Sequence, residues 1–193
     1  MPRPKLISDE AVLAEVLRLV QRIGPERFTL TAAGQQTGLS PSTLVQRFGS
    51  KRELLLAADR WAVERWVGGM DAVPDTGSAL DRLIAGMVHA VDADTTAQEM
   101  ANSVSLLQIG LADDEFHAST QDGAVRLRAK IVERLREAES TAELRAGTDL
   151  DALAELLEVT YHGAMIHWAI HRDGPLVPAL ERKFLRLLQA YRT

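Results

Sequence analysis

Apolar residues recur along this chain at helical rather than strand spacing. Leu13, Val16, Leu17 and Val20 stand at i, i+3, i+4 and i+7, behind Ser8 as a cap and Asp9 and Glu10 in the first turn, and Gly24-Pro25 closes the run. This spacing predicts a helix over 8–23. Beyond Pro74 the same period predicts helices over 78–93, 95–111, 114–144, 149–171 and 175–191. They are separated by Asp75-Thr76-Gly77, Ala112-Asp113-Asp114, Ala146-Gly147-Thr148 and Arg172-Asp173-Gly174-Pro175. Strand signals, internal repeats and low-complexity segments are absent from the sequence. With the helices between residues 28 and 69, the count is about nine and the predicted fold class is all-α.

The densest signals lie in residues 28–55, FTLTAAGQQTGLSPSTLVQRFGSKRELL. Thr29 is placed to N-cap a helix running through Gln36, and Gly38 can close it in a left-handed conformation without steric cost. Leu39 supplies an apolar plug under the corner, Ser40 caps the next helix, and Pro41 takes its first position, where a missing N–H loses nothing. Leu44 and Phe48, four apart, mark the inner face, so Pro41, Ser42, Val45 and Gln46 point outward. Gly49 ends that helix. Ser50 and Glu53 form a capping box for a third helix, which continues through Trp61 toward Gly68-Gly69. The positive end of that helix and Lys51 together make a seat for a phosphate. A glycine corner between two short helices, the second with a polar outer face, is the pattern of a helix-turn-helix DNA reader.

Charge sharpens this reading. The net charge of −5 over 193 residues argues against generic nucleic-acid binding, but residues 1–60 hold nine Lys and Arg against six acids, and the remainder 13 against 21. A basic head on an acidic body suits a protein that touches phosphates with one end. There is no cysteine, hence no disulfide framework and no thiolate metal site. No apolar run approaches a membrane span, and the N-terminal MPRPKLISDE lacks the apolar core of a signal peptide, so a cytoplasmic protein without membrane contact is expected. Arginine outnumbers lysine 18 to 4, a composition that hints at a GC-rich genome.

The segment resembles the TetR-type transcriptional regulators. The likeness rests on Phe28-Thr29, Gly38-Leu39-Ser40, Thr43-Leu44, Phe48, Ser50-Lys51 and Glu53-Leu54-Leu55, about a dozen positions in order and without a gap, and on the amphipathic helix ahead of them. Where the family usually has Ile-Ala in the first helix of the pair, this chain has Ala33-Gly34, which predicts a less well packed helix at a cost of about 1 kcal/mol for glycine relative to alanine. Where the family has Tyr and His near the end of the reading helix, Val45 and Arg47 stand here. Val45 suits a thymine methyl, and Arg47 a phosphate or a guanine edge.

The resemblance implies a DNA-binding domain over 1–55 and a helical regulatory and dimerisation domain over 56–193. It implies a homodimer on a palindromic double-stranded operator, most often acting as a repressor, released by an unidentified small molecule. Pro41, Ser42, Val45 and Gln46 are expected at base edges, with Thr29, Thr43, Arg47 and Lys51 on phosphates and Ser40 at the cap between them. The family's ligand pocket maps onto Trp61, Trp66, Met87, Met100, Leu106, Gln108, Tyr161, Met165 and Trp168 as candidates. The last two helices are the expected dimer surface, with Gly163 and Ala164 permitting close approach and Leu156, Phe184 and Leu188 among the apolar contacts.

Two other functional classes have a sequence feature behind them. Glu158 with His162, and His167 with His171, are i, i+4 pairs of the kind that chelate a cation. Five residues separate His162 from His167, a rotation of about 500°, so one helix cannot aim both pairs at one ion. A metal-dependent hydrolase is therefore disfavoured. With no G-x-S-x-G and no glycine-rich phosphate loop, no enzyme and no cofactor are expected. A helical interaction module that has lost DNA binding is the remaining alternative.

Overall fold

The structure, a computed structural model, describes residues 7–193. Arg3 and Lys5, counted in the basic head, lie outside the described residues. Nine helices are present among those described: α1 (Asp9–Ile23), α2 (Leu30–Thr37), α3 (Pro41–Phe48), α4 (Lys51–Ala72), α5 (Ala79–Val88), α6 (Ala97–Ala112), α7 (Asp114–Ser140), α8 (Leu150–His171) and α9 (Leu176–Leu188). Short polar side chains start most of them. Ser8, Thr29, Ser40, Ser78 and Asp149 each accept a hydrogen bond from the backbone N–H three residues on, at 3.0 to 3.2 Å. Thr96 and Glu99 complete a reciprocal capping box for α6, with Thr96 N–H donating to Glu99 Oε2 at 2.8 Å and Glu99 N–H to Thr96 Oγ1 at 3.2 Å.

The chain divides into two compact units. One holds residues through Val63 together with Ala101–Thr120, and the other Glu64–Met100 with Gln121–Thr193. The first unit is organised on Val12, Val16, Leu19 and Val20 of α1, Phe28, Ala33, Leu44, and Leu54, Leu55 and Leu56 of α4, with Phe116 joining them. Phe48 is only partly buried against this core. In the second unit Leu176, Leu180, Phe184 and Leu188 recur every fourth residue on α9, are fully buried, and pack that helix on α5 and α8. Each such side chain contributes roughly 1.5–3 kcal/mol by leaving water.

Several element boundaries differ from those the sequence predicts. α4 passes through Gly68 and Gly69 to Ala72. Gly69 serves packing there: a Cβ at that position would lie 3.2 Å from the Gly86 carbonyl oxygen, and one on Gly86 would lie 2.8 Å from Met70 Sδ, so α4 and α5 cross closely on this glycine pair. α7 stops at Ser140 rather than near Leu144, because Leu144 is instead bridged to Arg192, with Arg145 N–H donating to the Tyr191 carbonyl at 2.9 Å. The Glu143 carboxylate accepts from the N–H groups of Ala79 and Leu80 at 2.7 and 3.2 Å, a second cap on α5 supplied from 64 residues away. α5 and α9 also end earlier than their apolar period, at Val88 and Leu188.

Candidate nucleic-acid interface

The corner between α2 and α3 is set by two glycines. Gly38 takes φ +73° and returns its N–H to the Gly34 carbonyl at 2.9 Å, closing α2. Gly34 is buried where the Leu39 carbonyl comes in: a Cβ there would stand 2.6 Å from that oxygen. The expected looseness at Ala33-Gly34 is thus not found. Ala33 is completely buried, and glycine is what the close approach of the corner requires.

Past the corner, Leu44 is fully buried and anchors α3, while Pro41, Ser42, Val45 and Gln46 are exposed, Val45 to 42 %. The Ser40 hydroxyl lies 2.8 Å from the hydroxyls of both Ser42 and Thr43, so the start of α3 presents a cluster of three hydroxyls. Such a surface offers donors, acceptors and one methyl-bearing side chain to a groove.

The charged groups around this face are arranged by long-range contacts that sequence periodicity does not reveal. Arg47, expected on a phosphate or a guanine, has its guanidinium held by Asp9 (Nε to Oδ1, 2.9 Å) and by the Ile7 carbonyl (3.1 Å), 38 and 40 residues away. It ties α3 to the start of α1 and is only 19 % exposed. Gln36 is a further tie: its amide donates to Glu15 Oε2 at 2.6 Å and accepts from Arg22 at 2.7 Å. The Gln36 hydrogen bond, then Arg18, holds the Glu15 carboxyl below its ordinary pKa. Arg52 is matched by Asp113, at 2.7 and 2.8 Å, and by Glu115, which together hold it firmly charged. Lys51 stays exposed at the start of α4, its ammonium 5.9 Å from the Phe28 ring, and Ser50 Oγ accepts from Glu53 N–H at 3.2 Å. Thr29 is exposed at the start of α2. Exposed Thr29 and Lys51 thus flank the outward residues of α3 in sequence.

Of the residues expected around a ligand, Trp66 and Tyr161 come together, their rings stacked at 5.4 Å, and His162 sits edge-on to both at 5.7 and 5.4 Å. Burial pushes the Tyr161 phenol up and the His162 imidazole down from their ordinary values. Met87 and Met100 are core residues of the same unit, Met165 is half-buried, and Trp61 and Gln108 belong to the other unit, Gln108 exposed. The Glu158–His162 pair is not a chelate. Glu158 accepts from Arg128 at 2.8 Å, and His162 turns to the aromatic rings.

The residues expected at the dimer surface differ in their exposure within the chain. Phe184 and Leu188 are 0 % exposed and Ala164 is 4 % exposed within the single chain, because α9 turns its fourfold stripe onto α5 and α8. What remains outside is a stripe on α8: Leu156, Val159, Ile166 and Ile170, exposed by 40, 60, 45 and 70 %, with Gly163 open at its centre. Their spacing alternates three and four residues, as in the seam of paired helices.

No family model matches the sequence, and no curated protein sequence matches it either. Solved structures do. A Rhodococcus protein assigned to the TetR family of transcriptional regulators aligns at a TM-score of 0.76 and 15% identity over 96% of this chain and 98% of its own. A TetR-family regulator from Cytophaga hutchinsonii aligns at 0.73 and 14% identity, over 98% and 99%. The chain has the TetR fold. A Saccharomonospora viridis transcriptional regulator solved in complex with choline shares the TetR fold with it, at a TM-score of 0.74 and 19% identity over 96% and 97%. All three of these proteins bear the description of transcriptional regulators. No described helix is long and apolar enough to cross a membrane.

Proposed function

We propose that this protein is a homodimeric, ligand-responsive regulator of transcription, acting as a repressor on a palindromic operator. The observation that carries the reading is α3, anchored by Leu44 behind a Gly34–Gly38 corner and offering Pro41, Ser42, Val45 and Gln46 to solvent. These side chains would read base edges in the major groove. Thr29 and Lys51 would hold phosphates, and the Ser40–Thr43 hydroxyls would lie at the groove's rim. Arg47, engaged by Asp9, serves to fix the attitude of the reading helix. Pairing through the α8 stripe would present two reading helices about 34–36 Å apart, or a multiple, which is why the operator would be a palindrome.

The effector would act on the body, with the Trp66–Tyr161–His162 cluster as its candidate contact. α4 contributes residues to both units, so a body conformer selected by ligand would change the spacing of the two readers through it. The ligand shifts that equilibrium only by its differential affinity for the two conformers.

The test is a gel-shift titration with DNA from the protein's own promoter, in parallel with Lys51→Ala and Gln46→Ala. Lys51→Ala is expected to weaken all sequences and lower the salt dependence by about one unit of slope, whereas Gln46→Ala changes preference at one or two base pairs. A folded, dimeric protein giving no salt-sensitive shift overturns the reading. Equal loss of specificity in both variants overturns the residue assignment.

A further inference from the structure

Arg47, in the last turn of α3, fixes the point from which the N-terminal residues depart. Its guanidinium donates to the Ile7 carbonyl at 3.1 Å and to Asp9 Oδ1 at 2.9 Å. The Ile7 side chain packs against the core of the first unit, and Ser8 Oγ caps α1 by accepting from Ala11 N–H at 3.2 Å. Backbone, side chain and cap together hold residue 7 beside the C-terminal end of α3.

The chain ahead of this fixed point runs Met1-Pro2-Arg3-Pro4-Lys5-Leu6, outside the described residues. It carries two cations and no acid, and the first acid of the chain, Asp9, is engaged by Arg47. Proline at 2 and 4 disfavours a helix across these positions and favours extended backbone at the residue before each. Such a segment suits a narrow groove. The minor groove of B-DNA is about 6 Å wide, too tight for a helix about 10–12 Å across but open to an extended chain. Where A·T pairs narrow it further, its negative potential draws arginine and lysine. Reach is sufficient as well. Arg3 stands four residues ahead of Ile7, a span of up to about 14 Å, and a single sugar–phosphate strand separates the edge of the major groove from the adjoining minor groove.

We propose that residues 2–5 are a second DNA-reading element, which enters the minor groove flanking the site read by α3 and places Arg3 and Lys5 there with a preference for A·T pairs. The proposal rests on the reading of α3 as the helix in the major groove. α3 distinguishes base pairs by their major-groove edges, whereas the arm separates only A·T from G·C, whose guanine N2 amino group adds a donor to the minor-groove floor and meets an inserted cation unfavourably. Arg47 is then a positioning residue for both elements, since it ties α3 to the residue where the arm begins.

The full chain is footprinted with hydroxyl radicals on DNA from its own promoter, and then titrated with duplexes whose pairs flanking the protected core are A·T, G·C or inosine·C. Inosine lacks the N2 amino group, so inosine·C presents the major-groove edge of G·C and the minor-groove edge of A·T. The protein is expected to protect the flanking minor groove and to bind A·T and inosine·C flanks alike, with G·C flanks about tenfold weaker. Arg3→Gln/Lys5→Gln should lose that protection, bind all three flanks equally, and show a salt dependence shallower by about two units of slope per subunit, with helical spectrum and thermal melt unchanged. Should the double change lower the melt, Arg3→Gln alone is expected to weaken the flank preference in the same direction. Promoter binding without flanking protection, without preference for A·T over G·C, or with inosine·C behaving as G·C overturns the proposal and leaves the reading of α3 standing. A double variant that binds more weakly yet keeps the flank preference marks Arg3 and Lys5 as phosphate contacts and overturns the minor-groove assignment. A folded, dimeric protein that shifts no DNA overturns both readings.

Discussion

Replacing Gly34 by alanine sets two physical effects against each other. Glycine inside a helix costs about 1 kcal/mol relative to alanine, so propensity alone predicts that Gly34→Ala stabilises α2. The structure reverses the sign. The new methyl would stand 2.6 Å from the Leu39 backbone oxygen, where ordinary contacts begin at 3.4 Å, and 3.5 Å from Pro41 Cδ. A carbonyl in a turn cannot swing aside as a flexible side chain does, so the corner itself must open. Overpacking of this kind typically costs 1–3 kcal/mol, which outweighs the propensity gain and leaves a net loss of about 1 kcal/mol. Since the displaced atoms belong to Leu39 and lie next to the Ser40 cap, operator affinity should fall further than stability, by about tenfold or more. Gly68→Ala is the control: it lies in the interior of α4 with nothing within 4 Å of its Cβ position, and should raise stability by about 0.5–1 kcal/mol. Urea unfolding at one fixed protein concentration, with hydrogen exchange of the α2–α3 amides, measures both. A Gly34→Ala protein as stable as Gly68→Ala, with unchanged exchange at the corner, refutes the steric argument.

Glu143→Gln should cost about 1 kcal/mol at neutral pH, since the Ala79 and Leu80 N–H groups lose an ionised acceptor at the start of α5. Burial acts to raise the Glu143 pKa, but those hydrogen bonds prevail and lower it; the stabilisation is present above the ordinary glutamate range and vanishes as pH falls through the lowered value, where thermal melts of the two proteins should converge. Asp59 has the opposite sign. Burial raises its pKa despite the Ser119 hydroxyl at 2.8 Å, so stability falls as pH rises from the ordinary aspartate range through the raised value. Asp59→Asn, which can still accept from Ser119, should therefore be the more stable protein at pH 7, and the advantage should disappear in acid. Ile166→Glu places charge in the exposed α8 stripe without touching the core and should shift sedimentation from dimer to monomer; an unchanged dimer would place the interface elsewhere.

Much of the head is written locally. The caps Ser8, Thr29 and Ser40, the left-handed Gly38, Pro41 at a helix start and the buried Leu44 are each decided by a residue's own stereochemistry or by neighbours within four positions, so they were legible in the chain. The outward set Pro41, Ser42, Val45 and Gln46 followed from the same period. The partner of Arg47 was not legible. Asp9 is 38 residues away, and nothing in the local pattern distinguishes an arginine that reaches a phosphate from one that reaches back to α1. The same holds for Glu143 as a remote cap and for Glu158, whose i, i+4 histidine suggested a metal while its actual partner, Arg128, comes from another helix.

Helix number, helix starts, the all-α class and the exposed face of α3 were thus determined by sequence alone, because backbone propensity, capping and amphipathic period are short-range properties. Tertiary structure decided which apolar stripe each helix kept for itself. Phe184 and Leu188 looked available to a partner until α5 and α8 closed over them, leaving Leu156, Val159, Ile166 and Ile170 outside. It also decided the meaning of Gly34, a defect by helix propensity and a requirement once the Leu39 carbonyl is in place. Both outcomes depend on atoms brought near by folding, and periodicity along one chain carries no record of what will pack against it.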